Sequence, residues 1–211
     1  MSNNSSKNKR IAKNTIFLYI RMLFALVITL YTSRVILNTL GIQDYGIYNV
    51  VAGFVSLFAF LNATLSSSMQ RFYNFQIGSV GDNGIAKVYT TGLWIHVLLA
   101  VIIILILETF GVWYVNNIMV MPEDRLFAAN ILYQIVVVSA VLLILQIPYI
   151  GAIMAYERMD FYAIISIIDV VFKLAIVLVL PYINLDKLIV YAFLLLMAVS
   201  YTHLRAHETG R

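Results

Sequence analysis

Seven ionisable residues lie within or at the ends of stretches that are otherwise apolar: Arg21, Arg34, Arg71, His96, Glu108, Asp169 and Lys173. Their types and spacing make no catalytic set. There is no Ser/His/Asp arrangement, no His-Glu-x-x-His and no close carboxylate cluster to hold a metal, so neither an enzyme nor a metal or other cofactor is expected. In an apolar helix such residues can instead hold an opposite charge, take up an ion or proton, or reach for an interface. Burying an arginine at the centre of a membrane helix costs about 2.5–3.5 kcal/mol. That cost is tolerated where the guanidinium faces protein, a water-filled cavity or an anionic ligand.

Asp169 and Lys173 are four residues apart, so they share a helix face in the order that best suits an intrahelical pair. Either they neutralise each other and make the helix insertable, or they border a substrate path or coupling-ion site. Arg21 and Arg34 lie towards opposite ends of one apolar run. Both could snorkel to the interface, or together supply positive charge to a central cavity. They are 13 residues apart, about 220° around a helix, so a straight helix does not put both on one face. Arg71 reads most simply as an interfacial anchor, with a place on the substrate path as the other reading. Glu108 is an interface carboxylate or a proton or cation site. His96 is either bonded to a neighbour or a second coupling candidate.

The elements that carry these residues are set by composition. The chain is 62% hydrophobic and 11% charged, with a mean hydropathy of +0.91. Soluble domains have about 25% charged residues, so ordinary soluble folding is excluded. There is no cysteine, and thus no disulfide or thiolate chemistry. Lys7, Lys9, Arg10 and Lys13 precede the first apolar run, with no acid before Asp44. A basic segment abutting a membrane helix marks the cytoplasmic side and not a nucleic-acid partner. The run is too long for a cleaved signal peptide.

The expected fold is all-α, a polytopic membrane bundle of six spans at about 14–40, 45–70, 88–114, 126–150, 161–180 and 187–198, behind a basic N-terminal segment 1–13. Residues 1–9 are polar and expected to be disordered. Gly41 should end the first span and Asp44 should cap the second. The second turns rich in small polar residues from Asn62 to Ser68, which suit close helix packing or a polar cavity. Gly78 to Gly84 is a loop whose glycines lack the Lys-Ser/Thr of a phosphate cradle. Pro148 should kink or end the fourth span, and Pro181 stops the fifth. With the N-terminus inside, seven Lys and Arg fall on the cytoplasmic side against three opposite, which supports that orientation.

Residues 199–211, Val199-Ser-Tyr-Thr-His-Leu-Arg-Ala-His-Glu-Thr-Gly-Arg211, turn polar without a cap or turn signal. The segment resembles one translated reading frame of the transposase adapter used in sequencing libraries. It is therefore set apart from the fold, and with it the i, i+4 pair His203 and His207 that would otherwise suggest a metal site. The expectation is that the natural protein continues beyond Ala198.

The stretch from Tyr31 to Gly53, with Leu40-Gly-Ile-Gln-Asp-Tyr-Gly-Ile-Tyr48 at its centre, resembles the first hairpin of bacterial polysaccharide-biosynthesis flippases. These are O-antigen-type exporters of the multidrug/oligosaccharidyl-lipid/polysaccharide superfamily. Ser67-Ser-Met-Gln-Arg-Phe72, Gly151-Ala-Ile-Met-Ala-Tyr-Glu-Arg-Met159 and Leu185-Asp-Lys-Leu-Ile-Val-Tyr191 are similar to the same family, and the likeness covers residues 10–198. It implies the first lobe of a two-lobed bundle in the bacterial inner membrane, the second lobe lying in the missing C-terminal part. It implies transfer of an undecaprenyl-pyrophosphate-linked oligosaccharide between leaflets by alternating access. Arg21, Arg34, Arg71 and Lys173 then become candidates to meet the diphosphate. A small-molecule antiporter of the superfamily would instead place acids in the first two spans, and the first has none between Asn14 and Gly41. A non-transporting partner of a polysaccharide assembly complex is the third reading.

Overall fold

Gly41 breaks the first long helix. Its φ of 78° and ψ of 170° lie in a region that side-chain-bearing residues rarely enter, so the chain turns there without strain only because the residue is glycine. In the structure, a computed structural model, residues 2–56, 59–80 and 84–208 are described; side chains are described except at 2–11, 13, 14, 54, 55, 59, 60, 80, 159–162 and 202–208. Helix α1 (Ser2–Ser56) therefore consists of two arms about Gly41. Residues of both arms, Ile28 to Ile36 and Tyr45 to Ala52, line one cavity, so the break folds the second arm back over the first.

The remaining helices are α2 (Ala59–Val80), α3 (Ile85–Ile106), α4 (Val112–Asn117), α5 (Leu126–Leu145), α6 (Ile147–Ala155), α7 (Met159–Val179) and α8 (Lys187–Glu208). No strand occurs among the described residues. Four helical stretches are long and apolar enough to cross a membrane: Thr15–Gly53, Ile85–Asn117, Glu123–Ala155 and Ala163–Tyr182. Lys187–Tyr201 is a shorter apolar helix, and Thr15–Gly53 holds two arms, so the span count lies between four and the expected six. These elements fit a multi-pass membrane protein. Large apolar side chains such as Val27, Leu30, Trp94, Leu98 and Phe110 point outward, as lipid contact requires.

Several boundaries differ from the sequence reading. The polar residues 2–9 continue α1 instead of standing apart, since extending a formed helix is far easier than nucleating one. Asp44 is not the cap of the second arm: the helix resumes just after Gly41, and the Asp44 carboxylate is taken by Arg125. The expected second span is shared between the end of α1 and the start of α2, with residues 57 and 58 outside the described ones. Part of the 78–84 loop, residues 81–83, lies outside them as well, as do the side chains of His203 and His207. Pro148 does interrupt the fourth span, at the first turn of α6, where its missing N–H leaves no bond unmade. Pro181 falls in the 3₁₀ turn Leu180–Tyr182 that ends α7. The backbone of α8 runs without a break past Ala198 to Glu208.

Packing centres on α5. Its buried Ala128, Ala129, Leu132, Tyr133, Ile135, Val137 and Ile144 meet Ile103 and Leu107 from α3 and the following turn, Ile47 and Val51 from α1, and Leu188 and Ala192 from α8. Between α3 and α4, Leu107–Gly111 widens into a π-turn. The buried Tyr133 hydroxyl donates to the Leu107 carbonyl at 2.7 Å, and it fits there because Gly111 has no Cβ to meet it. Asn116 and Asn130 exchange amide hydrogen bonds of 3.1 and 3.0 Å between α4 and α5. In an apolar environment such interhelical bonds each contribute modestly, about 0.6 kcal/mol on average.

Candidate functional site

The two arms of α1, with α5, α7 and α8, line a half-open cavity of about 500 Å³. Thr29, Thr32 and Ser33 stand at i, i+3 and i+4 on the first arm, which puts them on one face, and all three line it. Asn49 comes from the second arm and Ser139 from α5. Ser33 Oγ donates to the Thr29 carbonyl at 2.9 Å, Ser139 Oγ to Ile135 at 2.9 Å and Asn49 Nδ2 to Tyr45 at 2.7 Å. The two serine hydroxyl protons and one N–H of the Asn49 amide are thus used within their own helices, and the oxygens keep lone pairs for a guest. Thr32 Oγ1 is buried and has no partner among the described residues. Tyr45, Tyr48 and Tyr191 add aromatic walls, the last two meeting edge-on with centroids 5.1 Å apart. Lys173 is the one charged side chain among the described lining residues, and its Nζ donates to Asp169 Oδ2 at 2.7 Å. Chemically the cavity offers acceptors, aromatic faces and a single cation.

A second polar feature lies at the end of the bundle where α1 turns, α5 begins and α8 begins. Arg125 Nε donates to Asp44 Oδ1 at 2.8 Å, and its Nη2 bonds the other Asp44 oxygen. Nη1 donates to Asp186 Oδ2 at 2.7 Å. One planar guanidinium therefore clasps two carboxylates from two other elements, which a lysine could not do in the same geometry. Asp186 also accepts from the backbone N–H groups of Leu188 and Ile189 at 3.0 and 3.3 Å, capping α8. Burial works to raise the Asp186 carboxyl, but Arg125 and these two N–H groups outweigh it and hold the group below the ordinary carboxylate range.

No family model, curated protein or solved structure matches the chain.

Of the residues singled out by sequence, the structure brings Lys173 and Asp169 together and puts Lys173 on the cavity wall. Arg21 is half-buried on the first arm, outside the lining, while Arg34 and Arg71 are exposed and also outside it. Asn62 to Ser68 do not line it either; Ser66 is buried and lies 3.4 Å from Asn62 Oδ1 along α2. Glu108 accepts from Gln134 Nε2 at 3.1 Å across the α3–α5 seam, away from the cavity lining. His96 is buried at 2% exposure on α3. Its Nδ1 faces the Gly92 carbonyl at 2.7 Å, so Nδ1 carries the proton in the neutral ring and Nε2 is without a partner among the described residues. Among those residues no three His, Asp or Glu gather closely enough to hold a metal.

The hydroxyl face Thr29-Thr32-Ser33 and the clasp are the parts that sequence reasoning passed over. The first was legible as three hydroxyls at helical spacing. The second had a weaker signal: Asp44, Arg125 and Asp186 each stand at the end of an apolar run, and the span order puts all three ends on one side.

Proposed function

We propose that this chain is one lobe of an exporter in a bacterial cytoplasmic membrane, its N-terminus cytoplasmic. Its substrate is an undecaprenyl-pyrophosphate-linked oligosaccharide, passed to the outer leaflet by alternating access against a second lobe, for surface polysaccharide synthesis. The observation that carries the reading is the cavity: within a largely apolar lining it holds hydroxyls, an amide, tyrosines and, among the described lining residues, one cation. Thr32 Oγ1, buried there without a partner among the described residues, is the group that calls most for a polar guest.

Each part of the substrate has a matching surface. A diphosphate draws on Lys173, which leaves Asp169 as it does so, and a charge-assisted bond to phosphate is stronger than a neutral one. Sugar hydroxyls donate to the free lone pairs of Ser33 and Ser139, and Thr32 Oγ1 gains a partner. Tyr45, Tyr48 and Tyr191 offer flat apolar faces to sugar C–H groups. The polyprenyl tail stays in lipid against the apolar outside. The hairpin likeness from Tyr31 to Gly53 supports the same reading, because both of its arms line the cavity.

The test is complementation. The source gene, placed in a flippase-null strain of the same glycan type, should restore surface polysaccharide. Lys173→Met should lower that restoration at least about tenfold, the scale of one lost charge-assisted bond, and Lys173→Arg should retain most of it. A gene that reaches the membrane in normal amount and restores nothing would contradict the reading and favour a non-transporting assembly partner.

A further inference from the structure

We infer that the Arg125 clasp is a releasable gate that closes one end of the cavity. The inference rests on the reading of the cavity as a substrate site.

The clasp joins α1, α5 and α8, and these are three of the four helices that form the cavity. On each of them the clasp residue stands within about two turns of a fully or nearly fully buried apolar side chain: Asp44 before Ile47, Arg125 before Leu132, Asp186 before Leu188. Those three side chains belong to one packed cluster. Cavity residues lie beside and beyond them on the same helices: Tyr45, Tyr48 and Asn49 on α1, Leu132 itself and Ser139 on α5, and Tyr191 on α8. The charged clasp thus stands at the end of the cavity on all three helices, directly beside Tyr45 on α1 and with Leu188 between it and Tyr191 on α8. Drawing the helices apart at this end would part that cluster and open the cavity beside it, and the clasp opposes that motion.

A fully buried staple would be costly to part. This one is within reach of water, with side-chain exposures of 20% for Arg125, 16% for Asp44 and 33% for Asp186. Separated partners can therefore be hydrated, so the open state is not closed off by an unpaired buried charge. The Lys173–Asp169 pair cannot serve this way, because both partners ride on α7 and move together.

The chain has no cysteine, so a single Ser139→Cys change reports access to the cavity. Full-length protein in sealed vesicles is treated with a membrane-impermeant thiol reagent from the clasp side or from the other side. Arg125→Gln should speed labelling from the clasp side at least about tenfold and leave the other side unchanged. Asp44→Asn, which keeps the Arg125–Asp186 bond, should give an intermediate rate, and it stands in should Arg125→Gln fail to fold. Clasp-side labelling that is the same in wild type and both variants would overturn the gate, as would an equal rise from both sides. The readout needs no transport: faster one-sided labelling in a chain without export would keep the gate and sink the export reading.

Discussion

Lys173 and Asp169 pair along a single helix, one turn apart, at the wall of the cavity; Arg125 reaches across to Asp44 and Asp186 and ties together three helices at one end. Both are ion pairs of half-buried side chains, yet they do different work. An intrahelical pair costs little to form, adds little to the fold, and leaves its cation available for exchange with an incoming anion. The clasp fixes the relative position of elements far apart in sequence, so its worth lies in what it holds shut. Partners on one helix move together, whereas partners on three elements hold those elements in place.

The largest expected effect comes from removing the shared cation. Arg125→Ala leaves two carboxylates facing each other, and partial exposure softens the cost to about 2 kcal/mol. Thermal unfolding in a fixed detergent should register it, and an unchanged midpoint would reduce the clasp to a surface decoration. Asp44→Asn and Asp186→Asn should each cost about 1 kcal/mol. Combined with Arg125→Ala they should add almost nothing, because one group serves both; full additivity in the cycle would break the picture of a single clasp.

The clasp should also respond to acid in a defined direction. Asp186 is held below the ordinary carboxylate range, so its contribution is present above that range and is lost as pH falls through the lowered folded value. Unfolding midpoints followed from neutral to strongly acidic pH should fall, and Asp186→Asn should flatten the part of that slope due to this group. A wild-type and variant pair with superimposable profiles would remove the linkage.

The smallest effect on stability belongs to the other pair. Asp169→Asn and Lys173→Met should each shift stability by about 0.5 kcal/mol or less, the worth of an i, i+4 pair. Export should nevertheless fall sharply with Lys173→Met. If that change destabilised the bundle as much as Arg125→Ala, the contrast between the two pairs would collapse.

Much of the architecture could be read from residue order alone, and the reasons are local. Apolar runs of the right length, Gly41, Pro148 and Pro181 act through backbone geometry within a few residues, so their breaks appear where expected. Asp169 and Lys173 were legible for the same reason, since helical spacing alone brings them together. What sequence could not show depends on which helix faces which. Arg34 and Arg71 were plausible cavity cations, but the faces they occupy are set by the packing of α1 on α7 and α5 and of α2 on α6, and both are exposed outside the cavity. The polar run Asn62–Ser68 suggested a cavity wall, whereas the wall is built from Thr29, Thr32 and Ser33 on the first arm. The clasp joins residues 81 and 61 apart in the chain, beyond the reach of any spacing rule.

The most direct test of the central claim is binding. A short-chain polyprenyl-pyrophosphate sugar, soluble enough to titrate, should bind the purified full-length protein saturably. Lys173→Met should weaken that binding at least about tenfold while Arg34→Gln leaves it unchanged. Equal weakening by both changes, or none by Lys173→Met, would show that the cavity is not where the diphosphate is held.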